Sequence, residues 1–215
     1  MPKPVQCVFG GLIVALLVGG PIAYAWYWEG QVRHFRVVRD GVLYRSGQPS
    51  LFALKRLIND YGIKTVVSFR DGTHPGEPPP DSREQNYCAD QDINYYRLAP
   101  GCWYPPDGTA EAARAVREFC KIMDNPANYP VLIHCWGGIH RTGAFTAIYR
   151  MEYEHWTNQQ AIAETRACGY TTLDEDLDLL MFLESYRPRW QPQPEPPLVT
   201  ASHKVDVHVA RHRRR

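Results

Sequence analysis

The sequence lacks an excess of charge of either sign, and it lacks closely paired cysteines. Its 215 residues contain 24 Lys and Arg against 23 Asp and Glu, so the overall charge indicates no nucleic-acid partner. The six cysteines are scattered along the chain without a C-x-x-C pair. This spacing argues against a disulfide framework and agrees with a reducing compartment. A chain of this length has room for one domain of about 150 residues with appendages.

Charged side chains are also absent from residues 4–28, which are apolar almost throughout. About 20 such residues can cross a bilayer, so the run predicts an N-terminal transmembrane helix within residues 1–30. A cleaved signal peptide is the alternative interpretation, because AYA at positions 23–25 fits a small-x-small cleavage site.

The basic residues on the two sides of this run predict its orientation. Arg33, Arg36 and Arg39 follow the apolar run, whereas only Lys3 precedes it. The positive-inside tendency therefore predicts a single-pass membrane protein whose main domain faces the cytoplasm.

Between residues 35 and 186, short β-branched apolar runs alternate with helical patterns. Examples of the apolar runs are KTVVSF and PVLI. Strands that alternate with helices indicate an α/β fold with a largely parallel sheet. We expect this range to form one folded domain. The predicted helix N-caps are Ser50, Asp81, Asn158 and Thr172.

Residues 187–215 differ in composition from the rest of the chain. Five of the ten residues from Pro188 to Pro197 are proline, which predicts a semi-rigid linker. The last fifteen residues contain five basic side chains and one acidic side chain. Two interpretations of this basic tail remain open, contact with anionic lipid or a solvated tail.

The segment PVLIHCWGGIHRTG, residues 130–143, places a cysteine between a predicted strand and a predicted helix. Residues 131–133 have the β-branched character of a buried strand, and the residues after Thr142 suit a helix. Unpaired backbone N–H groups and the positive end of the helix dipole make such a junction an anion site. Cys135 is therefore a candidate nucleophile held as a thiolate in an anion-binding loop.

The neighbouring residue types fit the transfer of a phosphoryl group. Gly137 and Gly138 allow the backbone amides to point inward, and the Arg141 guanidinium can grip two phosphoryl oxygens. Thr142 can donate its hydroxyl to the sulfur when the thiolate leaves, and His134 can hold the loop. The alternative interpretation is that Cys135 is an unreactive core cysteine and that the glycines only form a turn. The predicted substrate-binding residues are Trp136, Gly137, Gly138, Ile139, His140 and Arg141, with the Trp136 and His140 side chains facing outward.

HCWGGIHRTG matches the H-C-x5-R-T signature and thus resembles the cysteine-dependent protein tyrosine and dual-specificity phosphatases. VLYRSGQPS and GIKTVVSFRD are similar to the atypical dual-specificity branch. The resemblance covers roughly residues 35–186, which it implies are the phosphatase catalytic domain. It implies a phosphatase-type α/β sandwich with a central, mostly parallel sheet of about five strands flanked by helices. It also implies a phosphocysteine intermediate and no metal or other cofactor. The spacing of His134, Cys135 and His140 likewise suits no usual zinc site.

Members of this family carry a general acid on a mobile loop upstream of the cysteine. Asp107 in WYPPDG, 28 residues before Cys135, is the predicted acid, and Asp71 in FRDG is the alternative. A third interpretation is that Asp107 only caps the helix predicted to begin near Thr109.

Three functions are compatible with these features. The first is a phosphatase acting on phosphotyrosine, and on phosphoserine or phosphothreonine, in a phosphorylated protein substrate. The second is an inositol phosphate or phosphoinositide phosphatase, against which the lack of lysines in the loop argues. The third is a non-catalytic phosphate-binding adaptor at the membrane.

Overall fold

The computed structural model describes residues 16–21, 24, 31–72 and 76–192, and within them one five-stranded sheet organises the fold. The strands lie side by side in the order β1-β2-β5-β3-β4. β1 pairs with β2 in antiparallel fashion, and the other neighbours are parallel, which confirms the predicted mostly parallel sheet. The strands are β1 (Arg36–Arg39), β2 (Leu43–Gly47), β3 (Thr65–Ser68), β4 (Asn94–Arg97) and β5 (Val131–Cys135).

Helices cover both faces of the sheet. Val131 and Ile133 of β5 belong to the larger core cluster, and Leu132 belongs to the smaller cluster on the opposite face, as the two-residue repeat of a strand requires. The first two helices pack on the smaller cluster and the remaining four on the larger one. The helices are α1 (Leu51–Tyr61), α2 (Ser82–Asp90), α3 (Glu111–Met123), α4 (His140–Tyr153), α5 (Asn158–Ala167) and α6 (Leu177–Ser185).

One predicted N-cap is confirmed. The Ser50 hydroxyl accepts a hydrogen bond from the amide of Ala53 at the start of α1, and α1 ends at Gly62 with φ of 63°. A positive φ at the end of a helix costs glycine little, because glycine has no Cβ.

Of the other three predicted N-caps, Asn158 is wrong, whereas Asp81 and Thr172 occupy N-cap positions without making a side-chain cap hydrogen bond. Thr157, one residue before Asn158, caps α5 in a capping box, and the Asn158 side chain instead donates to carbonyls at the end of α6. Thr172 makes no side-chain cap, and Asp176 caps α6. Asp81 precedes α2 but makes no cap hydrogen bond.

Asp81 is fully buried and accepts hydrogen bonds from three side chains. The donors are Ser68, Tyr95 and Arg97, the last with its Nε and Nη2 within 2.9 and 2.7 Å of Oδ1. Burial raises the pKa of Asp81, but the hydrogen bonds from these donors outweigh burial and lower the pKa below its usual value.

We expect Asp81→Asn to lower the free energy of unfolding by about 3 kcal/mol at pH 7, because it removes the fully buried carboxylate that pairs with the partly buried Arg97 guanidinium. The lowered pKa means that the stabilisation by Asp81 is present above the unfolded-state pKa of about 4 and is lost as the pH falls through the folded-state pKa. Urea unfolding at pH 7 and at pH 3 measures this. Asp60→Asn is the control, since its pair with Arg56 is more than half exposed; equal effects of the two changes would contradict the assignment.

Residues after α6 fold back onto the domain. Arg189 Nε donates to Glu152 at 2.8 Å, and Trp190 Nε1 donates to the Met151 carbonyl at 2.9 Å. The start of the proline-rich segment therefore contacts α4.

No helix in the part of the chain that the structure describes is long and apolar enough to cross a membrane. Most of the predicted anchor at 1–30, and the predicted basic tail, lie outside the described residues.

Candidate active site

Cys135 lies at the carboxyl end of the central strand β5, between β2 and β3. It is 5% exposed. Helix α4 begins five residues later at His140, and no side chain in the described part of the chain caps it. The predicted junction of strand and helix is thus confirmed, and the uncapped N–H groups of α4 favour an anion beside the sulfur.

The carbonyls of the loop after Cys135 are bound from outside the loop. The Trp136 carbonyl accepts from the Gln48 amide at 3.1 Å and from Arg33 Nη2 at 3.3 Å, and the Gly137 carbonyl lies 2.8 Å from His34 Nδ1. Because the C=O and N–H of one peptide plane point in opposite directions, the following amides are turned to the inner side of the loop. The contacts therefore orient the amides of Gly137 and Gly138, and the Gly138 amide reaches the Cys135 sulfur.

Gly138 occupies the tightest position in this loop. Its amide donates to Cys135 Sγ at 3.2 Å, and its φ is 77°. A Cβ at Gly138 would lie 2.3 Å from the Gly47 nitrogen, whereas a Cβ at Gly137 would meet nothing within 4 Å. Close approach to β2 therefore requires glycine at position 138 but not at 137.

Arg45 contacts the loop that follows Cys135, and the sequence did not lead us to predict this contact. Arg45 is 2% exposed, and its Nη2 donates to the Gly138 carbonyl at 2.8 Å. Its Nε is buried and has no hydrogen-bond partner among the described residues. Burial lowers the pKa of Arg45 below its usual value, and the nearby Cys168, Glu164 and Cys135 oppose this only in part. Arginine stays protonated in proteins, so Arg45 is a fixed cation behind the loop. The available signal was a basic residue within the buried strand LYRSG.

Arg141, in the first turn of α4, is oriented by groups at the end of β3. Its Nη1 donates to the Phe69 carbonyl at 3.1 Å, and its Nη2 forms an ion pair with Asp71. Asp71, the alternative candidate acid, is thus the partner of the arginine. Ile139, just before α4, packs against the larger core cluster.

The predicted supporting residues Thr142 and His134 are both fully buried. Thr142 Oγ1 has no hydrogen-bond partner among the described residues. His134 Nε2 lies 2.9 Å from Glu84 Oε2, although neither ring nitrogen meets hydrogen-bond geometry. Glu84 also accepts from the Gln48 side chain at 2.7 Å, which connects this pair to the loop.

The side chains of Trp136 and His140 differ in their surroundings. Trp136 is 61% exposed, as expected, and the Arg33 guanidinium lies 4.7 Å from its ring centroid. The His140 ring does not simply face outward, because its Nε2 lies 2.7 Å from Asp176 Oδ2 and its edge meets the Tyr170 ring. Burial raises the pKa of Asp176, but hydrogen bonds from Tyr170 and His140 lower it below its usual value. His140 is therefore held by the cap of α6.

The Asp107 side chain makes no hydrogen bond or ion pair to the Cys135 loop within the described ranges. Its exposed carboxylate accepts from the Thr109 amide at 2.9 Å and from the Thr109 hydroxyl at 2.6 Å. These hydrogen bonds lower the pKa of Asp107. Helix α3 begins two residues after Thr109, so Asp107 closes a turn before the helix and does not cap it.

Comparison with known proteins identifies the family to which the chain belongs. Residues 28–177 match the family model described as a DSP-PTPase phosphatase fused to NAD⁺ kinase. The chain is 26% identical to the dual specificity protein phosphatase TpbA of Pseudomonas aeruginosa over 80% of this chain and 76% of that relative. It is 26% identical to inositol diphosphatase DSP3 of Arabidopsis thaliana over 71% of this chain and 70% of that relative.

A solved structure shares the fold. The core catalytic domain of PP-IP phosphatase SIW14 from S. cerevisiae superposes with a TM-score of 0.53 at 25% identity, over 72% of this chain and 85% of that one. The family model covers the sheet and the complete Cys135 loop with the start of α4. The chain therefore belongs to the dual-specificity-type protein tyrosine phosphatase family, and it is a phosphatase.

Proposed function

We propose that this phosphatase hydrolyses phosphotyrosine, and phosphoserine or phosphothreonine, in protein substrates. The observation that carries the proposal is the loop of inward amides around Cys135, closed by the oriented Arg141. Amides and a guanidinium fixed in this way can stabilise the three equatorial oxygens of a phosphoryl group in the transition state.

In the proposed reaction the Cys135 thiolate attacks phosphorus. A sulfur–phosphorus bond forms while the bond from phosphorus to the leaving oxygen breaks, and Asp107 gives that oxygen a proton. Water then attacks the phosphocysteine, Asp107 takes a proton from the water, and inorganic phosphate leaves. The Thr142 hydroxyl stabilises the departing thiolate. Because Asp107 is hydrogen-bonded to Thr109, the loop that carries it must rearrange before it can act as an acid.

We expect Asp107→Asn to slow the hydrolysis of alkyl phosphates by about 10²–10⁴-fold and that of p-nitrophenyl phosphate by less than about tenfold. A poor leaving group needs the proton, whereas p-nitrophenolate leaves without it. Steady-state rates on both substrates measure the difference. Asp71→Asn is the comparison, expected to raise KM through Arg141; the larger leaving-group effect in this variant would transfer the acid function to Asp71.

A second candidate is hydrolysis of inositol phosphates. The relatives named inositol diphosphatase favour it, and so does the placement of two further basic side chains, Arg33 and His34, against the loop. The kcat/KM for a phosphotyrosyl peptide and for a diphosphoinositol polyphosphate decides between the candidates. A ratio of ten or more in favour of the inositide would overturn the protein-substrate proposal.

We also propose that residues 1–30 anchor the enzyme in a membrane with the catalytic domain on the cytoplasmic side and the basic tail near anionic lipid. Arg33, which contacts the catalytic loop, follows Trp28 by five residues. Five residues span at most about 18 Å, so an apolar run that ends in the bilayer would hold the active site close to its surface. Membrane fractionation with N-terminal sequencing tests this, and a chain that begins after residue 25 would contradict the anchor.

A further inference from the structure

The loop that carries Asp107 forms one wall of a groove of about 660 Å³. Helix α3 and the end of α6 form the other walls, and no residue of the Cys135 loop lies among the described residues that line it. The volume is within the range of sites for small organic molecules. The Ser185 hydroxyl, 3.5 Å from the Pro106 carbonyl, connects α6 to the loop.

The floor of the groove is uncharged and mostly apolar. Ala113, Val116 and Phe182 are buried there. Cys120 is also on the floor, and burial raises its pKa to about 12, so the thiol is neutral. Such a floor favours the hydrocarbon part of a ligand.

The rim of the groove carries four basic side chains, two of which lack an acidic partner. Lys121 pairs with Glu118, and Arg189 pairs with Asp124. Arg117 and Arg187 are exposed on the rim and have no carboxylate partner in the described ranges. An apolar floor beneath two unpaired guanidinium groups is complementary to a ligand with an apolar body and one negative group.

We propose that this groove binds a small amphipathic anion, a carboxylate or sulfonate with an apolar body, and that the bound anion inhibits the enzyme. Asp107 lines the groove while its carboxylate is bound to Thr109. A ligand packed against Pro106 and the floor stabilises this arrangement of the loop. The general acid is then withheld from the leaving oxygen while the Cys135 loop remains open to substrate.

The inhibition rests on the proposed function of Asp107, whereas the binding itself does not. The two are separable by experiment, with 8-anilino-1-naphthalenesulfonate as the fluorescent probe and the full chain as the protein. We expect saturable binding of the probe, together with a fall in kcat for an alkyl phosphate of about 10-fold or more and little change in KM. Turnover of p-nitrophenyl phosphate is expected to change less than about threefold.

Charge reversal at the rim tests the location of the probe. The double change Arg117→Glu and Arg187→Glu is expected to weaken probe binding by about tenfold or more, which corresponds to about 1.4 kcal/mol. Arg114→Glu is the matched control, because Arg114 is exposed on the same helix without lining the groove. We expect this control to change the probe affinity less than twofold.

Several results would overturn the proposal. Equal affinities of the double variant and the wild type would place the probe elsewhere, and a rise in KM without a fall in kcat would place it in the phosphate site. Tighter binding after removal of residues 193–215 would assign the groove to the chain's own tail. If the wild type turns over p-nitrophenyl phosphate but shows no probe binding, the groove proposal fails and the proposed phosphatase reaction stands.

Discussion

Replacement of Cys135 by serine is expected to reduce turnover of p-nitrophenyl phosphate by about 10⁴-fold or more, the magnitude typical of the loss of a catalytic nucleophile. Serine keeps the size of the side chain, but its hydroxyl is far less ionised than a thiol at neutral pH. The amides turned inward by Arg33, His34 and Gln48 remain in place. The variant should therefore still bind a phosphate-like oxyanion.

Isothermal titration with tungstate and a continuous phosphatase assay measure the two properties on the same preparation. Cys102→Ser is the matched control, because Cys102 is exposed and its sulfur is hydrogen-bonded to the backbone of Tyr104. We expect this control to keep wild-type turnover. Hydrolysis by the Cys135→Ser variant within tenfold of the wild-type rate would exclude Cys135 as the nucleophile.

Gly138→Ala is expected to have the second largest effect. The new methyl group would overlap the Gly47 nitrogen at 2.3 Å and the Ser46 carbonyl carbon at 2.5 Å, and the φ of 77° disfavours any residue with a Cβ. The backbone must move, which breaks the hydrogen bond from the Gly138 amide to the sulfur. We expect a loss of at least about 2 kcal/mol in the free energy of unfolding and loss of tungstate binding.

Gly137→Ala is the neighbouring control. A Cβ at this position would meet nothing within 4 Å, and its φ is not positive. Urea unfolding of both variants, followed by tungstate titration of each, should separate them. If the two alanines destabilise the protein equally, the contact between the loop and β2 is not what requires glycine at 138.

The N-caps of the helices separate what the sequence predicts from what it does not. Ser50 was correctly predicted as a cap because a cap is a local hydrogen bond between residues three positions apart. Asp81 has the same local pattern, but its carboxylate turns to Ser68, Tyr95 and Arg97. A local pattern cannot show the competition from distant donors, so the same signal corresponds to a cap hydrogen bond at Ser50 but not at Asp81.

The candidate site also combines features that depend on neighbours in the chain with features that depend on distant residues. The run from Val131 to Thr142 by itself determines the strand, the turn and the uncapped helix, because all of these depend on neighbours in the chain. Only the tertiary structure places Arg45 behind Gly138 and aims Arg141 at Phe69 and Asp71. Those partners are 70 or more positions away, and the parallel order β2-β5-β3 brings them to the same edge of the sheet. Hydrophobic periodicity and helix caps depend on interactions between neighbours in the chain. The order of the strands depends instead on how helices cover the two apolar faces of the sheet, and this order decides which strand ends lie together.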